Sequence, residues 1–324
     1  MLLMNLVISI LILILSSYII FLAGKRFANA SSNLGDYFGL PKSVKGATFD
    51  AISSSLPELL VAVYSIIFFK QFELGLGTIV GSSLFNLLVI PAICVLASSA
   101  IFKVSEKVVS REAIFYLISI FVLSMVVFYF KSWTIGIALV FLLFYVWYVS
   151  NLVKHTKEHK KTIEKRIKIS MKKEVITFVL TLVAIGVATY LLTSSAIDIS
   201  VFLNINPIVI GFTVVAMATS LPDTIISYVN AKKGDFDDAI SNIFGSNIFN
   251  IFIGLSIPVI LAVIFGLKAN IDFANIEIIF ALLGISILVI YLLLQNYSIN
   301  KSQAYLFLLI YLLFNAYVIY LSFV

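Results

Sequence analysis

Residues 46–58 read GATFDAISSSLPE and residues 211–223 read GFTVVAMATSLPD, one pattern met twice at an offset of 165. A second pair follows in the same order: TIVGSSLFN at 78–86 and NIFGSNIFN at 242–250, offset by 164. Two motifs, in one order, in both halves of a 324-residue chain mark an internal repeat. Each copy sets hydroxyls, a proline and a carboxylate inside an apolar run. The proline lacks an N–H, so the carbonyls of Ser53 and Ala218 lose their partner four residues on. A carboxylate at membrane depth costs at least about 2.5 kcal/mol. That both features recur at matched positions argues for a use.

Apolar runs dominate the chain, which is 61% hydrophobic with a mean hydropathy of +1.12; a soluble domain is nearer half apolar. Runs near 20 residues long are expected to cross a membrane. They fall at roughly 2–24, 45–69, 74–101, 112–130, 133–153, 175–194, 207–231, 238–266, 275–296 and 302–323. Charge supports this division. Of 22 Lys and Arg, 19 lie in alternate loops, and only Lys70, Lys131 and Lys268 lie in the others. By the positive-inside rule both termini are expected outside. The first run has Lys25 and Arg26 after it rather than before, and it exceeds a signal-peptide core, so it is read as a true span.

The one sizeable hydrophilic stretch, 154–174, carries 9 Lys and Arg and is expected to be cytoplasmic. It divides the chain into a first repeat, 1–153 (motif 46–86), and a second, 175–324 (motif 211–250). Five spans is an odd number, so the second repeat enters the membrane upside down. The expected fold class is therefore an all-α polytopic membrane protein, ten transmembrane helices as two inverted-topology repeats of five. Secondary transporters are often built this way, with a site at the midplane on interrupted helices. The linker is read as a solvated connector, with anionic lipid as the sharper alternative. His155 and His159 stand four apart there, but among lysines that would repel a metal. The single Cys94 excludes an intramolecular disulfide and is expected as a small packing residue.

Of 16 acidic residues, only Asp50, Glu58 and Asp223 are expected well within spans. Polar partners accompany them at helical spacing: Ser54 with Glu58, Thr219 with Asp223, Ser82 with Asn86, Ser246 with Asn250. Residues four apart share a helix face, so four segments each present a hydroxyl beside a carboxylate or carboxamide. Every candidate ligand is an oxygen. Such sites suit hard cations, Ca²⁺ taking about 6–8 oxygens. Two carboxylates balance one divalent ion or two or more monovalent ones, and competition for them is a physical basis for exchange.

At these residues the chain resembles the cation/calcium exchanger superfamily, and most closely its sodium/calcium exchangers of prokaryotic type. Two alpha repeats carry the resemblance: SSSLPE with GSSLFN, and ATSLPD with GSNIFN. It covers about 90 residues at motif level. It implies that Glu58 and Asp223 are the central ligands shared by Ca²⁺ and Na⁺, with Asn86 and Asn250 beside them. It implies calcium ligands at Ser54 and Thr219. It implies sodium sites lined by Ser55, Ser82, Ser220, Ser246 and the carbonyls of Ala51 and Ala216. Asn250 stands where many relatives have Asp, which argues against potassium dependence. Thr78 stands where the first repeat usually has Asn. The acidic motif of the proton-coupled branch is not found, which favours sodium.

Asp50 has Val215 as its repeat partner and stands eight before Glu58. It is read either as an accessory carboxylate, for proton coupling or pre-binding, or as an Asp facing cytosolic water or Lys42 or Lys45. The acidic GDFDDA, 234–239, is read as a helix start, with cation concentration at the cytoplasmic mouth as the alternative.

The expected function is a secondary antiporter exchanging Ca²⁺ for Na⁺ by alternating access; the alternative is a Ca²⁺/H⁺ antiporter. A cation channel is a different class, but channels usually need several subunits. An intramembrane enzyme lacks a nucleophile–His pair. No cofactor, nucleic acid or obligate protein partner is expected, only the lipid bilayer and the transported ions. The cell membrane is the expected location.

Overall fold

The computed structural model describes residues 2–37, 51–98, 102–157, 170–271 and 276–322. Among the described residues the regular structure is helical apart from four two-residue strands. In order the elements are α1 (Leu2–Tyr37), α2 (Ala51–Ser54), α3 (Leu56–Ile67), α4 (Phe72–Ala97), β1 (Phe102–Lys103), α5 (Glu106–Tyr129), β2 (Ser132–Trp133) and α6 (Ile135–Lys157). Then follow α7 (Met171–Leu203), α8 (Pro207–Ile210), a π-helical turn (Gly211–Val215), α9 (Ala216–Thr219) and α10 (Leu221–Lys232). The chain ends with α11 (Phe236–Ile264), β3 (Ala269–Asn270), α12 (Ile276–Asn296), β4 (Ser298–Ile299) and α13 (Lys301–Leu321).

Among the described residues, eight helices are long and apolar enough to cross a membrane, nine if the bent Pro207–Thr219 and Leu221–Lys232 count as one span. The remaining expected span is represented by α3, 12 residues long, with residues 38–50 before it outside the described residues. Asp50, Lys42 and Lys45 lie there too. So do His159 and the side chain of His155, within the linker.

Two helices exceed their expected bounds by about 13 residues each. The first runs to Tyr37 rather than to residue 24, and α7 spans 171–203 rather than 175–194. Charge sets where a helix leaves the bilayer, but only a breaker or a cap ends it, and neither Lys25 nor Arg26 is a breaker. Asn204, left-handed at φ 53, does end α7. At 1.5 Å per residue α1 is about 54 Å long, well beyond a hydrocarbon core of about 30 Å.

α1 and α7 pack along each other antiparallel. Ser9 Oγ donates to Asp198 Oδ2 near one end (3.5 Å) and Asn33 Nδ2 to Glu174 Oε2 near the other (3.1 Å). Phe27 and Phe178 stack between, centroids 4.6 Å apart. Their far faces expose Met4, Leu11, Leu15, Val183 and Val187, a dry surface suited to lipid rather than water.

Behind this pair, α4 and α11 form the centre and are buried on nearly every side. Both are largely apolar on every side apart from the polar residues of the repeated motif, as a helix enclosed by others is. Cys94 is buried on α4 among apolar residues. Around them α13 packs on α4, α6 on α11, and α5 on α11 and α12. Glycines allow the closest approaches. A Cβ on Gly81 would lie 2.2 Å from the Phe212 carbonyl oxygen, and one on Gly211 2.4 Å from that of Leu74.

The strands join the halves. β1 pairs antiparallel with β4, and β2 with β3. Exchanging the halves of the chain turns one pairing into the other. The acidic stretch 234–239 begins α11, as the helix-start reading expects, and Asp237 Oδ1 accepts the Ser105 N–H at the head of α5 (2.7 Å).

Candidate cation site

The two repeated motifs meet. Each SLP segment breaks its helix at the serine two residues before the proline. Ser55 has φ −91, ψ 6 and Ser220 φ −79, ψ 2, and Pro57 and Pro222 sit in the first turn of α3 and α10. There proline costs nothing, because a first-turn N–H has no helical partner. The second half bends by 43° at this point. A π-helical turn just before it, Gly211–Val215, shifts the register of the approaching helix.

The break places Glu58 and Asp223 in the first turns of α3 and α10, where a helix dipole favours a carboxylate. Both are fully buried. Glu58 Oε1 accepts from Ser82 Oγ (3.2 Å) and Ser220 Oγ (3.2 Å), and these hydroxyls lie 2.9 Å apart. Asp223 Oδ1 accepts from Ser246 Oγ (2.8 Å) and Oδ2 from Asn86 Nδ2 (2.8 Å). Each carboxylate thus takes a bond from the motif helix of its own half and further bonds from the other half, where Thr219 also reaches Glu58 and Ser54 also reaches Asp223.

The rest of the expected set divides. Ser54 Oγ lies 3.4 Å from Ser246 Oγ and donates to the Ala51 carbonyl (3.3 Å). The Ala51 carbonyl also accepts the Ser55 N–H, and the Ala216 carbonyl the Ser220 N–H, each at 3.0 Å. Ser82 Oγ comes within 3.5 Å of the Ala216 carbonyl. Thr219 Oγ1 turns back on its own helix, to the carbonyls of Val215 and Ala216 (3.1 and 3.2 Å). Ser55 Oγ and both amide atoms of Asn250 are buried without a hydrogen-bond partner, as are Glu58 Oε2 and Asn86 Oδ1.

Two fully buried carboxylates thus stand among site residues with four bare oxygens, one of them Glu58's own Oε2. Among the described residues no lysine, arginine or histidine is buried. An unsatisfied buried polar atom costs about 1–3 kcal/mol, and paired anions repel more strongly as the dielectric falls. A hard cation relieves both costs at once. Aspartate, glutamate, serine and asparagine oxygens are its usual ligands.

Asn247 was not among the expected residues. It is fully buried, accepts from Asn86 Nδ2 (3.1 Å) and donates to the Ser83 carbonyl (3.0 Å). Its repeat partner is Ser83 itself, so the contact joins equivalent positions of the two halves. The only sign in sequence was an amide inside an apolar run. Spacing by four excluded it, since its partners lie on the other half.

A family model described as sodium/calcium exchanger protein matches residues 8–154 and 173–320. The chain is 27% identical over 259 residues to inner membrane protein YrbG of Escherichia coli, covering 77% of this chain and 79% of that one. It is 26% identical over 289 residues to an uncharacterized membrane protein of Methanocaldococcus jannaschii, covering 89% and 90%. A solved structure of the sodium-calcium exchanger NCX_Mj, soaked with 10 mM Na⁺ and 10 mM Sr²⁺, superposes with a TM-score of 0.66 over 95% of this chain and 97% of that chain, at 23% identity. That likeness is one of fold.

Proposed function

The chain belongs to the sodium/calcium exchanger protein family, a family of membrane transporters, and from that premise we propose that it exchanges Ca²⁺ for Na⁺ by alternating access around the buried Glu58–Asp223 pair. The observation that carries this reading is the pair itself: two enclosed carboxylates with Glu58 Oε2, Ser55 Oγ, Asn86 Oδ1 and Asn250 Oδ1 bare. Glu58 and Asp223 are the shared central ligands. Ser54 and Thr219 add oxygens for Ca²⁺. Ser55, Ser82, Ser220, Ser246 and the Ala51 and Ala216 carbonyls serve Na⁺, with Asn86 and Asn250 at the centre. The space cannot stay both charged and empty cheaply, so one cargo leaves as the other enters.

Ten spans in two inverted repeats of five frame this mechanism. The antiparallel run of α1 against α7, and strand pairings that interchange with the halves, support that arrangement. α1 and α7 carry no charge into the site and are the elements that slide. The termini lie outside, residues 154–174 lie in the cytoplasm, and the protein works in the cell membrane. If more than two Na⁺ enter per Ca²⁺, net charge moves, worth about 2.3 kcal/mol per elementary charge per 100 mV.

Calcium flux into reconstituted liposomes, with sodium and pH gradients imposed separately, tests the reading. Sodium alone is expected to drive it. A flux driven by pH and indifferent to sodium would replace it with Ca²⁺/H⁺ exchange.

A further inference from the structure

One turn beyond Asp223, toward the end of α10 that precedes the acidic stretch 234–239, the polar lining continues. Ser227 follows Asp223 by four on α10. Asn242 precedes Ser246 by four on α11. Asn242 Nδ2 donates to Ser227 Oγ (3.0 Å) and comes within 3.4 Å of the Asp223 carbonyl, and Ser227 Oγ donates to the Ala239 carbonyl (3.3 Å). Both side chains are buried, and Asn242 Oδ1 has no partner.

The equivalent place in the first half is closed, and the Ser65 hydroxyl there is turned to its own helix, Oγ donating to the Ala62 carbonyl (3.0 Å). The repeat partners of Ser227, Ala239 and Asn242 are Ala62, Gly75 and Thr78. A Cβ on Gly75 would lie 2.7 Å from the Cα of Ala62, so α3 and α4 touch backbone to backbone there. Thr78 Oγ1 is turned to its own helix, bonding the Leu74 carbonyl (2.8 Å). One seam is sealed by small residues; the other is held by a serine and an asparagine with an oxygen to spare.

We propose that Asn242 Oδ1, held in place by the bonds from its Nδ2 to Ser227 Oγ and the Asp223 carbonyl, is a stepping ligand for partly dehydrated Na⁺ between the central carboxylates and the face that bears the 154–174 linker. The proposal rests on the exchanger reading above. An amide oxygen carries no formal charge, which suits a monovalent ion that must also leave; Ca²⁺ prefers carboxylates. Asn242 Oδ1 is desolvated with no partner to offset it, and a passing cation supplies one. Because the hydroxyls of the opposite seam are spent on their own helices and, among the described residues, it holds no amide, Na⁺ meets a relay from one face only.

The test is a double variant that makes the two seams alike, Ser227→Ala with Asn242→Thr. Each substitution installs the residue that the first half already tolerates at that place. Sodium-driven calcium flux is measured in vesicles of both orientations, with Na⁺ titrated on each face. The half-saturating Na⁺ concentration on the linker face is expected to rise about tenfold, equivalent to about 1.4 kcal/mol, while that on the opposite face holds. The reverse transplant, Ala62→Ser with Thr78→Asn, is expected to lower it on the opposite face. Equal shifts on both faces, or none, overturn the proposal. Should the double variant carry no flux, Ser227→Ala alone gives the same sided comparison. Absence of sodium-driven flux in the unmodified protein defeats the exchanger reading itself, whereas normal flux with unshifted variants defeats only the stepping site.

Discussion

Glu58 and Asp223 hold one position in two copies of one motif, yet their surroundings differ. Asp223 has both oxygens engaged at 2.8 Å, by Ser246 and Asn86. Glu58 has one oxygen shared by two hydroxyls at 3.2 Å and the other bare. The contact from the motif helix is repeated faithfully, Ser82 to Glu58 as Ser246 to Asp223. Not every contact that crosses between halves is. Thr219 reaches Glu58 as its partner Ser54 reaches Asp223. Yet Asn86 reaches Asp223 while its partner Asn250 reaches nothing, and Ser220 reaches Glu58 while its partner Ser55 reaches nothing. A duplicated sequence therefore reproduces the bonds made within a half, whose geometry it carries with it. Bonds between halves depend on how the halves sit, and there the equivalence holds only in part.

The strongest test of this comparison removes each charge in turn. Glu58→Gln and Asp223→Asn are each expected to abolish sodium-driven calcium flux, by more than about 100-fold, since each supplies half the charge that balances one divalent ion. Retained flux in both would sink the site assignment. Next in size is stabilisation by the cargo. Calcium at about 100 times its dissociation constant adds about 2.7 kcal/mol to a folded state that alone binds it. A rise in melting temperature of the detergent-solubilised protein reports this, and Glu58→Gln is expected to erase it.

The asparagines sharpen the contrast further. Asn86→Ala strips a bond from a buried carboxylate and is expected to cost about 1–3 kcal/mol of stability in the cation-free protein. Asn250→Ala removes a side chain that bonds nothing and is expected to cost far less without cation. Equal losses on thermal unfolding would break the asymmetry. Smaller again, Ser220→Ala is expected to weaken Ca²⁺ several-fold more than Ser55→Ala, in line with about 1 kcal/mol for a hydrogen bond. Radioactive calcium uptake at varied concentration reads the difference. The least effect is reserved for Asp50, whose partner is Val215: Asp50→Asn is expected to change the pH dependence of flux and little else. An unchanged pH profile removes it from the mechanism.

Much of the site was legible before any coordinates. Glu58, Asp223, Ser54, Ser82, Ser246 and Asn86 were marked by type and spacing, and they converge. The reason is that an apolar chain carries few polar groups, and those it buries at repeated positions have little else to do. Less legible were the residues that work across the interface. Asn247 bonds the other half, and Asn242 and Ser227 differ from their repeat partners, so neither periodicity nor repetition points to them. Helix ends are also less legible, because charge does not stop a helix: α1 runs on through Lys25 and Arg26.

From the sequence alone followed the membrane class, the repeat, the broken helices and the two carboxylates, because hydropathy, proline and buried charge act locally or by composition. Only the tertiary structure decided which oxygens are engaged and which are bare, which seam is sealed and which is polar. The bonds that cross the halves join segments more than 100 residues apart, and those within a half still turn on a few tenths of an ångström that no spacing along the chain records.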